Sequence, residues 1–494
     1  MISASMLYNY IECPHRPAMD KFGDQSKMDE VSPFVEMLWE RGAVHEQMVV
    51  DGLKHKVDDF VDLSSVSDMD ERERLTLAAM KEGRKLIYQG RIQHGDLLGM
   101  PDLLEEINGK YQAGDIKSGR GLEDPEEAGS YKSHYLVQIC LYTEIIEGLG
   151  ISAGRKGFVI DSNGARCEYD YAVVKNKKQE QTWWHYYSEV LSHVRNINSA
   201  SSSKPAYSGS CKLCHWYTEC KLVLVEGDDL TLIAELGRSR REAIIDTFKT
   251  VGDLAAADIG ELIDSKGKTP FKGVGAVLLT AFKERADLQK SNNPEPYLKQ
   301  RWSRPKIETA LYFDIEDDPL RGFLYLHGFY VVKNDGTEPY YRAFIVNEVT
   351  PDEEKIAFSE AVAFIRDSAP CALFYYSAAE KTAYKKLSRK YPDVISESDV
   401  ESLFEETNGA VDLYQVVKRY SVWPTYDLSL KSLASFVGFS WRDSDPSGAA
   451  SIEWFDRWIN GDSAYRERIL EYNEDDCIAT QYLEIALSKM DVRN

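Results

Sequence analysis

Ala310-Leu311-Tyr312-Phe313-Asp314-Ile315-Glu316 carries four apolar residues straight into two acids one residue apart. A short apolar and aromatic run of this kind predicts a buried strand, and side chains two apart on a strand share a face. Asp314 and Glu316 therefore emerge together, close enough to share metal ions. Further strand-like runs lie at 323–332, 340–346 and 372–376, and helical patterns interleave and then dominate to the C-terminus. The alternation predicts an α/β domain over 307–494. Glu380 opens a helix after the strand Phe374-Tyr375-Tyr376, and Asp412 is a further or alternative acid. Far downstream, Tyr472-Asn473-Glu474-Asp475-Asp476 reads as helix, with Tyr472 and Asp476 one turn apart. A strand-borne Asp-x-Glu, a mid-domain acid and a helical Tyr-x-x-x-Asp are the parts of a two-metal phosphodiesterase. Its ions sit roughly 4 Å apart, and the tyrosine orients water.

This order of motifs resembles the DnaQ-like 3'-5' exonucleases of the RNase H fold, in their tyrosine subtype and nearest the YprB-like branch. The resemblance implies metal ligation by Asp314, Glu316 and Asp476, with Glu380 and Tyr472 completing the catalytic set. It departs at the second motif, which normally carries Asp where this chain has Glu380.

Upstream, Asn292 to Pro305 holds three prolines and reads as a linker over 292–306. Before it, 223–291 reads as short helices broken by glycines. Phe271-Lys272-Gly273-Val274-Gly275 leads into an Ala- and Leu-rich helix. A Gly-apolar-Gly turn leaves backbone N–H groups at the positive end of that helix, where a phosphate fits. This resembles a helix-hairpin-helix element, and Lys272, Gly273 and Gly275 are its expected contacts to the DNA backbone. Leu236 to Arg241 reads as a degenerate companion.

The first two hundred residues hold a second acid set. Helical patterns extend to about Gln89, strand-like runs follow at 91–98, 102–107 and 111–116, and an amphipathic helix spans about 131–147. A hairpin turning at 161–164 then leads into a helix near 175–198. Gly99-Met100-Pro101-Asp102 is followed thirteen residues later by Asp115-Ile116-Lys117, whose Asp115 and Lys117 share a strand face. Two acids with a lysine suit metal-assisted hydrolysis, the acids holding Mg2+ or Mn2+ and the lysine orienting water. His45, after Gly42 on a predicted helix, adds an imidazole, and Gln138 and Tyr142 share one helix face. Gly-x-x-His-Glu, Gly-x-Pro-Asp, Asp-x-Lys and Gln-x-x-x-Tyr, in this order, resemble the RecB-like PD-(D/E)xK nucleases over residues 1–222. The resemblance implies His45, Asp102 and Asp115 as metal ligands and Lys117 as the water-positioning lysine. Gln138 and Tyr142 then support the site or touch DNA.

Cys211-x-x-Cys214 and Cys220 supply three thiolates, and Cys13 is the natural fourth; spacing leaves zinc and iron-sulfur equally open. One distant N-terminal cysteine with a C-terminal triplet, bracketing the nuclease motifs, is similar to the iron-sulfur RecB-like nucleases. These include the AddB nuclease domain and CRISPR-associated exonucleases, and the likeness implies a [4Fe-4S] cluster on Cys13, Cys211, Cys214 and Cys220.

The expected fold is thus α/β and multidomain. It joins a restriction-endonuclease-like PD-(D/E)xK core with a helical N-terminal part, a helix-hairpin-helix connector and an RNase H-like domain. The combination resembles a bacterial family of RecB-like nucleases. It implies a metal-dependent nuclease on DNA ends or single strands in repair, recombination or defence, with a helicase or another repair or defence protein as partner. The alternative is a nucleic-acid-binding or scaffold protein in which one site, the C-terminal one foremost, is inactive.

Composition bounds this reading. Of 494 residues 43% are hydrophobic, which excludes a disordered chain. The net charge of −22 divides into −10 over 1–200, +3 over 201–306 and −15 over 307–494. A wholly basic nucleic-acid coat is excluded, while the middle tolerates phosphate. Eight cysteines in a chain this long make no disulfide framework. With no membrane-length apolar run and no basic-then-apolar start, a cytoplasmic location is expected.

Overall fold

The computed structural model describes residues 1–124, 129–176, 180–199 and 203–493. Residues 200–202 of the serine-rich loop lie outside the described residues. The chain forms two compact units, Met1–Pro205 with Ser210–Cys220, and Ala206–Gly209 with Lys221–Asn494.

The first unit is built on a six-stranded mixed sheet. Its order is Phe60–Asp62, Leu86–Tyr88, Leu103–Ile107, Lys110–Ile116, Ser152–Ile160 and Arg166–Asp170. Lys110–Ile116 and Ser152–Ile160 run parallel, so the chain must cross over between them. The helix Ser133–Gly148 makes that crossover and buries eleven residues, Leu136, Val137, Ile139 and Leu141 among them. The N-terminal helix Ala4–Glu12 packs on it. A separate small sheet pairs Ile2–Ser3 with Leu97–Gly99, which in turn pairs with Ile92–His94.

Three local expectations need correction here. Helix does not run unbroken to Gln89, because Phe60–Asp62 and Leu86–Tyr88 are strands; at three residues each they are too short to show a period of two. The long helix begins at Trp183 rather than near 175, because Val174–Asn176 and Gln181–Thr182 pair as a small hairpin. The proline-rich linker contains a strand, Tyr297–Leu298, paired antiparallel with Ser421–Val422.

The second unit carries a five-stranded sheet ordered Tyr340–Ile345, Phe323–Lys333, Thr309–Asp318, Cys371–Tyr375, Ala410–Asp412. The first three strands are antiparallel, and the last two join Thr309–Asp318 in parallel. Alternation sorts the central strand as expected. Leu311 and Phe313 face a core completed by the helices Pro351–Asp367 and Ala379–Lys390. Ala310 and Tyr312 face a second core that includes Leu483 and Leu487 of the C-terminal helix Ala464–Lys489. Asp314 and Glu316 continue this second face. The glycine-broken segment folds as helices Gly237–Ile244, Val251–Ala256 and Ala276–Lys290 around Phe248, Phe271, Leu279 and Phe282.

Phe313 is wholly buried and stacks on Phe329 at 4.7 Å, so Phe313→Ala is expected to destabilise the second unit by about 3–5 kcal/mol. Val277, 85% exposed, should tolerate alanine within about 0.5 kcal/mol. Chemical denaturation of the two variants measures both.

Candidate functional site

In the second unit one ligand oxygen from each of Asp314, Glu316 and Asp476 lies within 4.8 Å of the others. The strand delivers the first two and the C-terminal helix the third. Burial, then the charges of Asp476, Glu316 and Glu380, raises the Asp314 carboxyl well above its ordinary range. Burial and then Asp476 push Glu316 up to about 8. The cluster is short of positive charge, which is the electrostatic signature of a cation site, and its all-oxygen donors suit Mg2+ or Mn2+.

Residues around the acids fix their geometry. Asn473 Nδ2 donates to Asp314 Oδ2 at 2.7 Å and to Glu316 Oε1 at 3.4 Å, while Tyr341 Oη donates to Asn473 Oδ1 at 2.8 Å. Gly328 pairs opposite Asp314, and a Cβ there would overlap Asn473 Oδ1. The missing side chain is therefore the space that the Asn473 amide occupies. Lys431, on the helix Leu430–Phe436, reaches Tyr472 Oη at 2.7 Å and both Asp476 oxygens at 3.4 Å. Trp441 Nε1 donates to Asp476 Oδ1 at 2.7 Å. Lys431, Trp441 and Asn473 were not singled out from sequence. Lys431 and Trp441 sit in loop-helix segments with no acid pattern, whereas Asn473 lay within the quoted Tyr-x-x-x-Asp stretch.

Glu380 stands outside the three-acid convergence. It is 3% exposed, its Oε2 has no hydrogen-bond partner, and burial followed by Asp412 raises its carboxyl well above the ordinary range. Its charge acts on Asp314, so it lies beside the cluster. Asp412 caps the helix Leu413–Tyr420, accepting from the N–H groups of Tyr414, Gln415 and Ser377.

In the first unit, Lys117 Nζ lies 2.8 Å from Asp115 Oδ2, and the Ile116 N–H donates to Asp102 Oδ2 at 2.8 Å. Burial, then Asp115, and also Glu46, holds the Asp102 carboxyl well above its ordinary range against the opposing Lys117. Burial pulls the Lys117 ammonium down, but Asp115 and Asp102 outweigh it and hold it above its usual value. Tyr142 is raised by burial and then by Asp115 and Asp102, and its ring occupies the place of a Gly99 side chain, 2.8 Å from a Cβ there. Gln138 is buried with its Oε1 unpartnered. His45 lies on the helix Pro33–Lys56, and its buried Nε2 also lacks a partner. The next residue, Glu46, accepts from Tyr88 Oη at 2.8 Å and Gln89 Nε2 at 2.7 Å, and Gln89 also donates to Asp102 Oδ1 at 3.1 Å. Glu46 and Gln89 thus join a site that sequence had assigned without them. Asp115 is buried and Asp102 half-buried, and the unpartnered His45 Nε2 and Gln138 Oε1 belong to the helices Pro33–Lys56 and Ser133–Gly148.

Cys13, Cys211 and Cys214 lie near enough to Cys220 for their charges to act on it. Cys220 is pushed up to about 12 by burial and then by Cys214, Cys13 and Cys211. Cys214 is raised by burial and by Cys13 and Cys211, against a backbone N–H and Arg16. Cys13 caps the end of the helix Ala4–Glu12. Asp20 ties the cysteine loop to the N-terminal helices, accepting from Trp216 Nε1 at 2.8 Å and meeting His215 Nε2 at 2.9 Å.

In the connector, Gly275 is the N-cap of the helix Ala276–Lys290, Gly273 has φ +76°, and Lys272 is exposed. In the companion segment, Arg241 is buried against Asp229 and Glu242, while the half-buried Arg240 donates to the Glu235 carbonyl.

Residues 311–488 match the sequence model of the RNase_H superfamily. No curated protein matches the chain. The C-terminal part is thus RNase H-like, and RNase H-like nucleases usually work with divalent metal on nucleic acid. No helix among the described residues is long and apolar enough to cross a membrane.

Asp314→Asn relieves like-charge repulsion. The metal-free protein should melt higher, by about 2–4 °C per kcal/mol relieved, while losing the stabilisation that Mn2+ gives the wild type. Gly328→Ala should displace Asn473 and weaken Mn2+ binding roughly 10–100-fold by calorimetry.

Proposed function

We propose that the chain is a metal-dependent nuclease that hydrolyses DNA phosphodiester bonds at ends or in single strands, with two active sites and a role in repair, recombination or defence. The observation that carries this is the convergence of Asp314, Glu316 and Asp476 within 4.8 Å inside the segment that matches the RNase_H superfamily. Divalent ions held by these acids would supply Lewis acidity to the attacking water and the leaving oxygen. The chain's own groups set the geometry. Asn473 holds Asp314 and Glu316 in register, Trp441 fixes one Asp476 oxygen, and Lys431 holds the Tyr472 phenol that orients the water. Glu380, buried near Asp314 with an unsatisfied oxygen, would serve as the further acid.

For the first unit the reading is a PD-(D/E)xK site in which His45, Asp102 and Asp115, joined by Glu46, hold metal and Lys117 positions water. Gln138 and Tyr142 line it. By the resemblance, a [4Fe-4S] cluster on Cys13, Cys211, Cys214 and Cys220, whose charges act on one another, would staple the two ends of this unit. Lys272, Gly273 and Gly275 would hold the DNA backbone through N–H groups at a helix start. The domains proposed are 1–222, 223–291 with the linker 292–306, and 307–494.

Release of label from end-labelled single-stranded DNA in Mn2+ tests the enzyme. Asp115→Ala and Asp314→Ala should each abolish one component of cleavage, by roughly 10²–10³-fold, and the double variant should abolish both. Wild-type rates in the double variant refute the proposal. The purified protein should be brown, with iron and acid-labile sulfide in equal amounts. A colourless sample carrying zinc would overturn the cluster, and Cys13→Ala should release the metal in either case.

A further inference from the structure

The carboxyl edge of the second sheet extends beyond the acids. The parallel strands Thr309–Asp318, Cys371–Tyr375 and Ala410–Asp412 end side by side, and open sheets of this kind take ligands in the crevice at those ends. Charge couples Asp314 to Glu380, and Glu380 to Asp412. Beyond Asp412 opens a cavity of about 400 Å³, lined by Glu235, Tyr376, Ser377, Tyr414 and residues 427–430. One wall ends at Leu430, the neighbour of Lys431, whose Nζ is 2.7 Å from Tyr472 Oη. The other wall runs from Ser377 into the helix that carries Glu380. The cavity and the acids are therefore joined by two short stretches of chain.

Its chemistry is aromatic. The rings of Tyr376 and Tyr414 meet edge to face at 5.8 Å, and Tyr376 Oη donates to the Leu428 carbonyl, which pins that ring. Both acids in the lining are already engaged. Glu235 accepts from Lys418 at 2.6 Å and Arg285 at 3.0 Å. Asp427 accepts from Tyr207 Oη at 2.9 Å and Ser429 Oγ at 2.5 Å, and its carboxyl is lowered to about 2, the serine and tyrosine hydrogen bonds outweighing burial. None of the lining residues is basic. Such a lining suits a base and sugar rather than a phosphate. Ser377 sits at φ +91° with its N–H on Asp412 Oδ1, a strained non-glycine backbone of the kind held at ligand sites.

The geometry points to this cavity as the seat of a nucleobase, stacked on Tyr414, from the strand whose phosphodiester lies at Asp314, Glu316 and Asp476. The inference rests on the nuclease reading of those acids and narrows their substrate to unpaired strands. A base in duplex must first leave its stack, at a few kcal/mol. A stacked base on an aromatic platform needs no particular sequence, so selection falls on strandedness.

The test uses the full chain carrying Asp115→Ala, with Ca2+ in place of Mn2+, and single strands bearing 2-aminopurine at successive positions from each end. Stacking should quench the fluorescence at one position near an end, and the same position in blunt duplex should stay bright. Tyr414→Ala should remove that quench and weaken strand binding roughly tenfold, while Tyr414→Phe keeps both. Should the alanine variant fail to fold, Tyr414→Leu keeps the apolar bulk, removes the ring and should lose the quench. Equal quenching in wild type, Tyr414→Ala and Tyr414→Leu, or equal quenching in duplex, overturns the inference. Cleavage of the same strands in Mn2+ separates the two claims. Dependence on Asp314 with indifference to Tyr414 sinks the base seat alone, and indifference to Asp314 sinks the nuclease reading beneath it.

Discussion

Three carboxylates gathered at the end of a buried strand repel one another, and burial removes the water that would screen them. The second unit is arranged around this repulsion. The strand Thr309–Asp318 can carry two acids on one face only because Ala310 and Tyr312 have already anchored that face against the C-terminal helix. The same helix then returns Asp476 to the spot. Gly328 yields its side-chain volume to Asn473, whose amide donates to both strand acids and whose oxygen is taken by Tyr341. What remains is an excess of negative charge that Lys431, 3.4 Å from Asp476, offsets only in part. A divalent cation completes this balance more fully than any side chain present.

The first unit meets the same problem differently. Its lysine lies two residues after the acid, just past the end of the strand Lys110–Ile116, so Lys117 offsets Asp115 directly at 2.8 Å. Asp102 is held by a backbone N–H and by Gln89, and Glu46 adds a third negative charge through the same glutamine. One site has its cation just past the end of the acid strand, and the other borrows it from a separate helix. The difference follows from length of chain: thirteen residues separate Asp102 from Asp115, whereas Asp314 and Asp476 lie at opposite ends of a domain.

The central strands were legible because their apolar runs are long enough to show a face, and Asp314 with Glu316 follow from alternation alone. Asp115 and Lys117 were read from alternation on one strand and Asp102 from the Gly-x-Pro-Asp motif before another. Short strands such as Phe60–Asp62 carry no period, and the strand Tyr297–Leu298 depends on a partner over a hundred residues away. Lys431, Trp441 and Glu46 escaped because their roles arise from tertiary approach, not from spacing. The four cysteines fall between these cases. Spacing groups three of them, and the resemblance rather than spacing adds Cys13, whose charge acts on Cys220.

Whole-chain charge first argues against nucleic acid, yet the structure shows why it is a weak guide. Many acids are already matched within the fold: Glu235 by Lys418 and Arg285, Asp475 by Arg442, Asp443 by Arg468. Such pairs contribute little field at a distance, since salt screens beyond about 10 Å. The exposed helix start at Gly275 and the aromatic cavity beside Lys431 present amides and rings rather than net charge. A strand held through backbone N–H groups, stacked bases and metal-bridged phosphate needs no basic surface, and its affinity should fall less steeply with salt than that of a lysine-coated binder.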